Sequence, residues 1–99
     1  MLSQENILEQ LSQKAAELKQ SFTVRSIGLF GSAARNEADS ESDIDILVDF
    51  DQPTFDHYMD LKFYLQKLFG KEVDLVITDT VKPRLKNSIN KEVVYAKGL

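Results

Sequence analysis

The chain has no cysteine. Disulfides and thiolate metal sites are therefore excluded, and a cytoplasmic protein is expected. A surplus of positive charge is also missing. The formal net charge is −4, which argues against broad electrostatic binding to nucleic acid or anionic lipid, so no direct nucleic-acid partner is expected. No apolar run approaches the length of a membrane span. The opening MLSQENILEQ lacks the basic and apolar regions of a signal peptide. Internal repeats and low-complexity segments are absent as well. What remains is 99 residues, 42% of them apolar and 28% charged. That is enough for one soluble domain over residues 1–99 with a compact core.

The periodicity predicts the elements. Ile7, Leu8, Leu11, Ala15 and Leu18 recur at three and four, giving one apolar stripe on a helix from Ser3 to about Gln20. Ser3 is its candidate N-cap. Val24 to Phe30 reads as a strand, with Val24, Ser26, Gly28 and Phe30 on one face and Arg25, Ile27 and Leu29 on the other. It ends at Gly31-Ser32, before a short helical turn and a polar loop. Asp43 to Phe50 reads as a second strand and Lys71 to Thr78 as a third. Between them, Phe55 to Phe69 is a predicted helix stopped by Gly70, with Phe55, Met59, Leu61, Leu65, Leu68 and Phe69 facing inward. Pro83 opens a predicted final helix running to about Lys97, with Leu85, Ile89, Val93 and Tyr95 or Ala96 on its apolar side. Three strands flanked by helices make a small α/β domain. The link between the first two strands is longer than a tight turn but shorter than a full crossover, so a mixed sheet is expected.

The second strand carries the chemistry. Side chains i and i+2 share a face, so Asp43 and Asp45 point together while Ile44, Ile46 and Val48 face the core. Two adjacent carboxylates resist joint ionisation, and a divalent cation reverses that cost. Hard oxygen ligands suit Mg²⁺, which completes its shell with water and substrate phosphate. The pair could hold one ion or bridge two. The plainer alternative is that Asp43 caps the strand and Asp45 sits on a solvated face. A calcium loop fails, because the sixth and twelfth positions counted from Asp43 are Val48 and Thr54.

Two further features point the same way. Gly31 lets a phosphate approach the backbone, the amides of a following helical turn attract anions, and Ser32 adds a hydroxyl donor. No Gly-Lys-Ser/Thr follows, so this is not a Walker loop. Asp74 is an acid inside an apolar strand, facing away from Val73, Leu75 and Ile77. It could complete a metal site or take a proton from a nucleophile. Alone it reads as a polar residue at a strand edge.

Gly31-Ser32, ten residues, then Asp43-Ile44-Asp45 is similar to the Gly-Ser-X10-Asp-X-Asp pattern of the nucleotidyltransferase superfamily that includes DNA polymerase beta. The chain resembles the minimal nucleotidyltransferase (MNT) branch, over its leading helix, GLFGSAARNEADSESDIDILVDF, VDLV and KPRLKNSINKEVVYA. The resemblance implies that Gly31 and Ser32 hold the β- and γ-phosphates of ATP and that Arg35 contacts phosphate. It implies that Asp43, Asp45 and Asp74 bind two Mg²⁺ ions. The implied reaction is attack of a hydroxyl on the α-phosphate, with pyrophosphate leaving. The implied role is that of an antitoxin. It transfers AMP to a tyrosine of a HEPN-domain toxin, usually an RNase, with which it forms a hetero-oligomer. Few residues follow the third strand to grip an acceptor, which fits a protein acceptor bringing its own surface. The alternatives are a small-molecule nucleotidyltransferase of the antibiotic-modifying kind and a steric antitoxin with a vestigial site. The joint presence of Gly-Ser and three carboxylates argues against the second.

Other residues have bland readings. Asp49 shares the aspartate face but lies about 13 Å beyond Asp45 along a strand, so it is solvated. His57, the single histidine, sits exposed at a helix start. Tyr58, Tyr64 and Tyr95 are core or surface residues. Lys82, Arg84, Lys86 and Lys91 form a solvated helix face.

Overall fold

A computed structural model describes residues 3–35, 43–78 and 93–99. Ile7, Leu11, Ala15 and Leu18 are buried, as their spacing predicts, but the stretch is two helices. α1 (Gln4–Gln13) and α2 (Ala15–Phe22) divide at Lys14, whose ψ of 12° leaves helical geometry. The Lys14 amide still donates to the carbonyls of Gln10 and Leu11, both at 3.2 Å, so the chain bends without breaking. Ser3 caps α1, its Oγ accepting the Asn6 N–H at 3.2 Å. α2 ends at Thr23, a β-branched residue with φ of 55°, a costly conformation. Its surroundings hold it there. The Thr23 carbonyl accepts from the Asp51 amide at 2.7 Å, and its Oγ1 accepts from the Gln52 amide at 3.3 Å.

β1 (Val24–Leu29) and β2 (Ile44–Phe50) pair antiparallel, and the register slips between Val24 and Ser26. Arg25 is the extra residue of a bulge. This corrects the expected alternation. Val24 joins Ile27 and Leu29 in the core, and Arg25 turns out to solvent. The bulge lets a strand with an arginine second in line still bury both ends. α4 (Phe55–Phe69) then crosses over to β3 (Val73–Ile77), which pairs parallel with β2.

The tail departs most from expectation. Val94 and Tyr95, assigned by periodicity to a helix, form β4 (Val94–Tyr95), antiparallel to β1. The Ala96 amide donates to the Ile27 carbonyl at 2.8 Å. Val-Val-Tyr favours extended backbone, and without β4 the outer edge of β1 would stand unpaired. Gly28 makes room. A Cβ there would lie 2.8 Å from the Val94 carbonyl oxygen and 3.0 Å from the Tyr95 ring. Pro83, Leu85 and Ile89 of the predicted final helix lie outside the described residues.

The result is a four-stranded mixed sheet in the order β3-β2-β1-β4. One core cluster joins Ile7, Leu11, Leu18, Leu61 and Leu65 of the helices to Ile27, Leu29, Ile44, Ile46, Val48, Val73 and Leu75 of the strands. α1, α2 and α4 therefore cover one face of the sheet. Phe55, expected inward, is 76% exposed, because the first residue of α4 overhangs the core. Tyr58 turns inward in its place, and its hydroxyl donates to the Leu75 carbonyl at 2.7 Å. Among the described residues, no helix is long and apolar enough to cross a membrane.

Candidate active site

The face of the sheet turned away from α1, α2 and α4 carries the acids, with Leu47 buried between them. Along β2, Ile44, Ile46, Val48 and Phe50 are buried in the core, while Asp45 and Asp49 lie half-buried on the opposite side. Asp43 is exposed one residue before β2. The parallel register sets Asp74 directly opposite Asp45, with Ile46 opposite Leu75. Neighbouring strands are about 4.8 Å apart, so these two side chains share one small space.

Electrostatics shows that they meet. Burial pushes the Asp45 carboxyl above its ordinary range. The charges of Asp74 and Asp43 push it further, the Arg35 guanidinium opposes them, and a hydrogen bond to Asp74 adds to the rise. Asp45 is thus the pivot of an acidic arc running from Asp43 to Asp74. Among the described residues, no three acidic or histidine side chains close into a ready metal cage. The arc is open and made of hard oxygen donors. Such a set fits Mg²⁺, which keeps waters and substrate oxygens in its shell, and a cation would relieve the repulsion that raises Asp45.

Gly31 and Ser32 sit beside this arc, at the start of α3 (Gly31–Ala34). Gly31 has φ of +62°, and a Cβ on it would collide with Asp45 Oδ2. Glycine is therefore required twice here, by the backbone and by the carboxylate. The Phe30 amide donates to the Asp45 carbonyl at 3.1 Å, tying this turn to β2. Arg35 closes α3, its amide donating to the Gly31 carbonyl at 3.2 Å. Its exposed guanidinium is near enough to act on Asp45.

The structure thus brings Gly31, Asp43, Asp45 and Asp74 together, with Ser32 and Arg35 on the same short turn. Asp49 stands apart from the arc, half-buried where a solvated residue was expected, 3.7 Å from Arg25 Nη1. His57 is half-buried, not exposed, and its Nδ1 donates to the Gln52 carbonyl at 2.7 Å. Tyr64 donates to Glu17 Oε2 at 2.9 Å, and burial with that bond raises its phenol to about 12. Lys82, Arg84, Lys86 and Lys91 lie outside the described residues. One contact has no sequence signal. Gln4 Nε2 donates to the Ala34 carbonyl at 2.6 Å, strapping α3 to the first turn of α1. Nothing in a glutamine 30 residues before Ala34 marks it as a support for the Gly31-Ser32 turn.

Four comparisons bear on this geometry. The profile of the nucleotidyltransferase domain matches residues 8–96. A protein adenylyltransferase, MntA, of Thermococcus cleftensis is 43% identical over 96 residues, which covers 96% of this chain and 97% of that protein. A solved candidate minimal nucleotidyltransferase superposes with a TM-score of 0.79 at 31% identity, over 94% of this chain and 95% of its own. A chain from the complex of tri-AMPylated HEPN toxin of Shewanella oneidensis with MNT antitoxin shares the fold, with a TM-score of 0.64 at 21% identity over 93% of this chain and 73% of that one. With a family profile running along nearly its whole length and a relative of such identity, the chain belongs to the nucleotidyltransferase domain family.

Proposed function

We propose that this nucleotidyltransferase transfers AMP from ATP to a tyrosine hydroxyl of a HEPN-type toxin, and so acts as its antitoxin in the cytoplasm. The observation that carries this is the abutment of Asp45 and Asp74 across β2 and β3 with Gly31 packed against Asp45. The T. cleftensis relative is a protein adenylyltransferase by name, and the S. oneidensis complex contains an AMPylated HEPN toxin.

Asp43, Asp45 and Asp74 would hold Mg²⁺. The metal supplies neutralisation of charge growing on the phosphate oxygens and alignment of the attack. Gly31 and Ser32 receive the β- and γ-phosphates, and Arg35 adds a guanidinium to them. The tyrosine oxygen bonds to the α-phosphorus as the bond from that phosphorus to the bridging oxygen breaks. Pyrophosphate leaves with the electron pair. Asp74 accepts the phenolic proton. The product is an O-adenylyl tyrosine, which adds bulk and negative charge to the toxin.

The test is the intact mass of the cognate HEPN protein after co-expression with this chain or its Asp45→Asn variant. A gain of one or more AMP units with the unmodified chain alone is expected. A toxin silenced by both versions with no mass gain would replace transfer with steric blockade.

A further inference from the structure

An apolar groove opens along the β3 edge of the sheet, on the side away from Gly31-Ser32. Pro53, just before α4, and Phe55 and Tyr58 of its first turn face Leu75, Val76 and Ile77 of β3 across a cavity of about 370 Å³. That volume holds one or two large side chains. We propose that this groove docks the acceptor protein, taking an aliphatic or aromatic side chain from the segment that carries the acceptor hydroxyl. This rests on the protein acceptor proposed above and deepens it.

Position is the first argument. β3 is the edge strand, and Val76 lies two residues from Asp74 on the same face, about 6.6 Å along the strand. Val76 is therefore the lining residue of β3 on the acid-bearing face, one side-chain step from Asp74, while Leu75 and Ile77 line the groove from the core side. Phosphoryl transfer needs the attacking and leaving oxygens roughly in line across phosphorus. Gly31-Ser32 follows β1, and Asp74 is on β3, with Asp45 on β2 between them. With the triphosphate tail on the β1 side, an acceptor hydroxyl arrives from the β3 side, where the groove is.

Chemistry is the second. The lining is apolar, so it offers nothing to a polycationic small acceptor, which would seek carboxylates. Strand addition is a weak fit too. α4 already engages the outward groups of β3, with Tyr58 donating to the Leu75 carbonyl and the Gln66 Oε1 accepting the Val73 amide at 3.3 Å. The groove is thus built to recognise side chains. Phe55 stands at its mouth, 76% exposed. Its backbone is fixed by the Thr54 cap, whose Oγ1 accepts the His57 amide at 3.1 Å. A pre-placed exposed aromatic is the residue type that anchors interfaces.

The test compares Phe55→Glu with Phe63→Glu, another exposed phenylalanine of α4, at 59%, outside the groove. Binding of the cognate HEPN protein is measured by calorimetry, and AMP transfer by initial rates. Phe55→Glu is expected to weaken binding and raise the KM for the HEPN protein at least tenfold, with the KM for ATP and the Tm unchanged. Phe63→Glu is expected to change none of these. Equal effects of the two variants, or binding within twofold of the unmodified chain for Phe55→Glu, would overturn the groove. So would a loss of self-association in Phe55→Glu with HEPN binding intact, since the groove would then hold a second copy. If the unmodified chain binds the HEPN protein without modifying it, adenylyl transfer fails, while the binding loss in Phe55→Glu still upholds the groove.

Discussion

The two faces of β2 follow opposite rules. On one, Ile44, Ile46, Val48 and Phe50 enter a core shared with four helices. On the other, Asp45 sits half-buried against Asp74 and Gly31, in surroundings that resist its ionisation. Asp45, Leu47 and Asp49 alternate with the core residues along one strand, and Leu47 is the buried exception on the acidic side. Stability and chemistry are thus separated by a rotation of the side chain, with no distance along the chain between them. The apolar face lowers the free energy of the fold. Asp45 raises it, because burial and the charges of Asp74 and Asp43 oppose its ionisation.

The sharpest way to break the comparison is to remove the pivot. Asp45→Asn should lower AMP transfer on the order of 10³-fold while raising the Tm of the metal-free protein by a few degrees, because it deletes a strained carboxylate. Radiolabelled AMP transfer and thermal melts in chelator measure the two halves. A fall in both would mean that Asp45 is structural. The converse change, Ile46→Ala, should cost about 2–5 kcal/mol in urea unfolding and leave the rate per folded molecule near its original value.

Gly31→Ala joins the two faces. It places a Cβ against Asp45 Oδ2 at a φ of +62°, so it should cost about 1–2 kcal/mol and displace the carboxylate, with a loss of transfer larger than that of stability. Acidity gives a smaller effect. A carboxyl whose folded pKa is raised favours the fold below its unfolded pKa and loses that advantage as pH rises through the folded one. Metal-free protein should therefore lose Tm as pH climbs from the ordinary 3.8 through the raised pKa of Asp45, and Mg²⁺ should restore it. The smallest expected effect belongs to the strap. Gln4→Met deletes the bond to Ala34 and should raise the KM for ATP severalfold, by about 0.5–1.5 kcal/mol, with little change in kcat.

Much of this was legible in order along the chain. Asp43, Asp45 and the Gly31-Ser32 turn are local features, and a period of two suffices to give the aspartates a common face. Asp74 was legible only as an odd acid in a strand. Its meeting with Asp45 depends on the β2–β3 register, which long-range packing sets. Arg25 misled because a bulge shifts the alternation by one. Val94 and Tyr95 misled because three-and-four spacing is a weak signal when the competing partner, the open edge of β1, lies far away in sequence. Phe55 misled because hydrophobicity at a helix start predicts burial, whereas here it supplies exposed surface. Gln4 left no trace, since a single side-chain bond to a distant carbonyl has no pattern to detect.

The pairing of Gly28 with Tyr95 joins residues 67 positions apart, and it sets a clock on biosynthesis. β1 and β2 can meet early, and β3 can add as soon as α4 has formed. Until residue 95 has been made, though, β1 keeps one bare edge, with a glycine near its end. Throughout that interval the nascent chain carries an open template for another strand. A chaperone, or a partner made alongside it, would have its greatest effect during that wait.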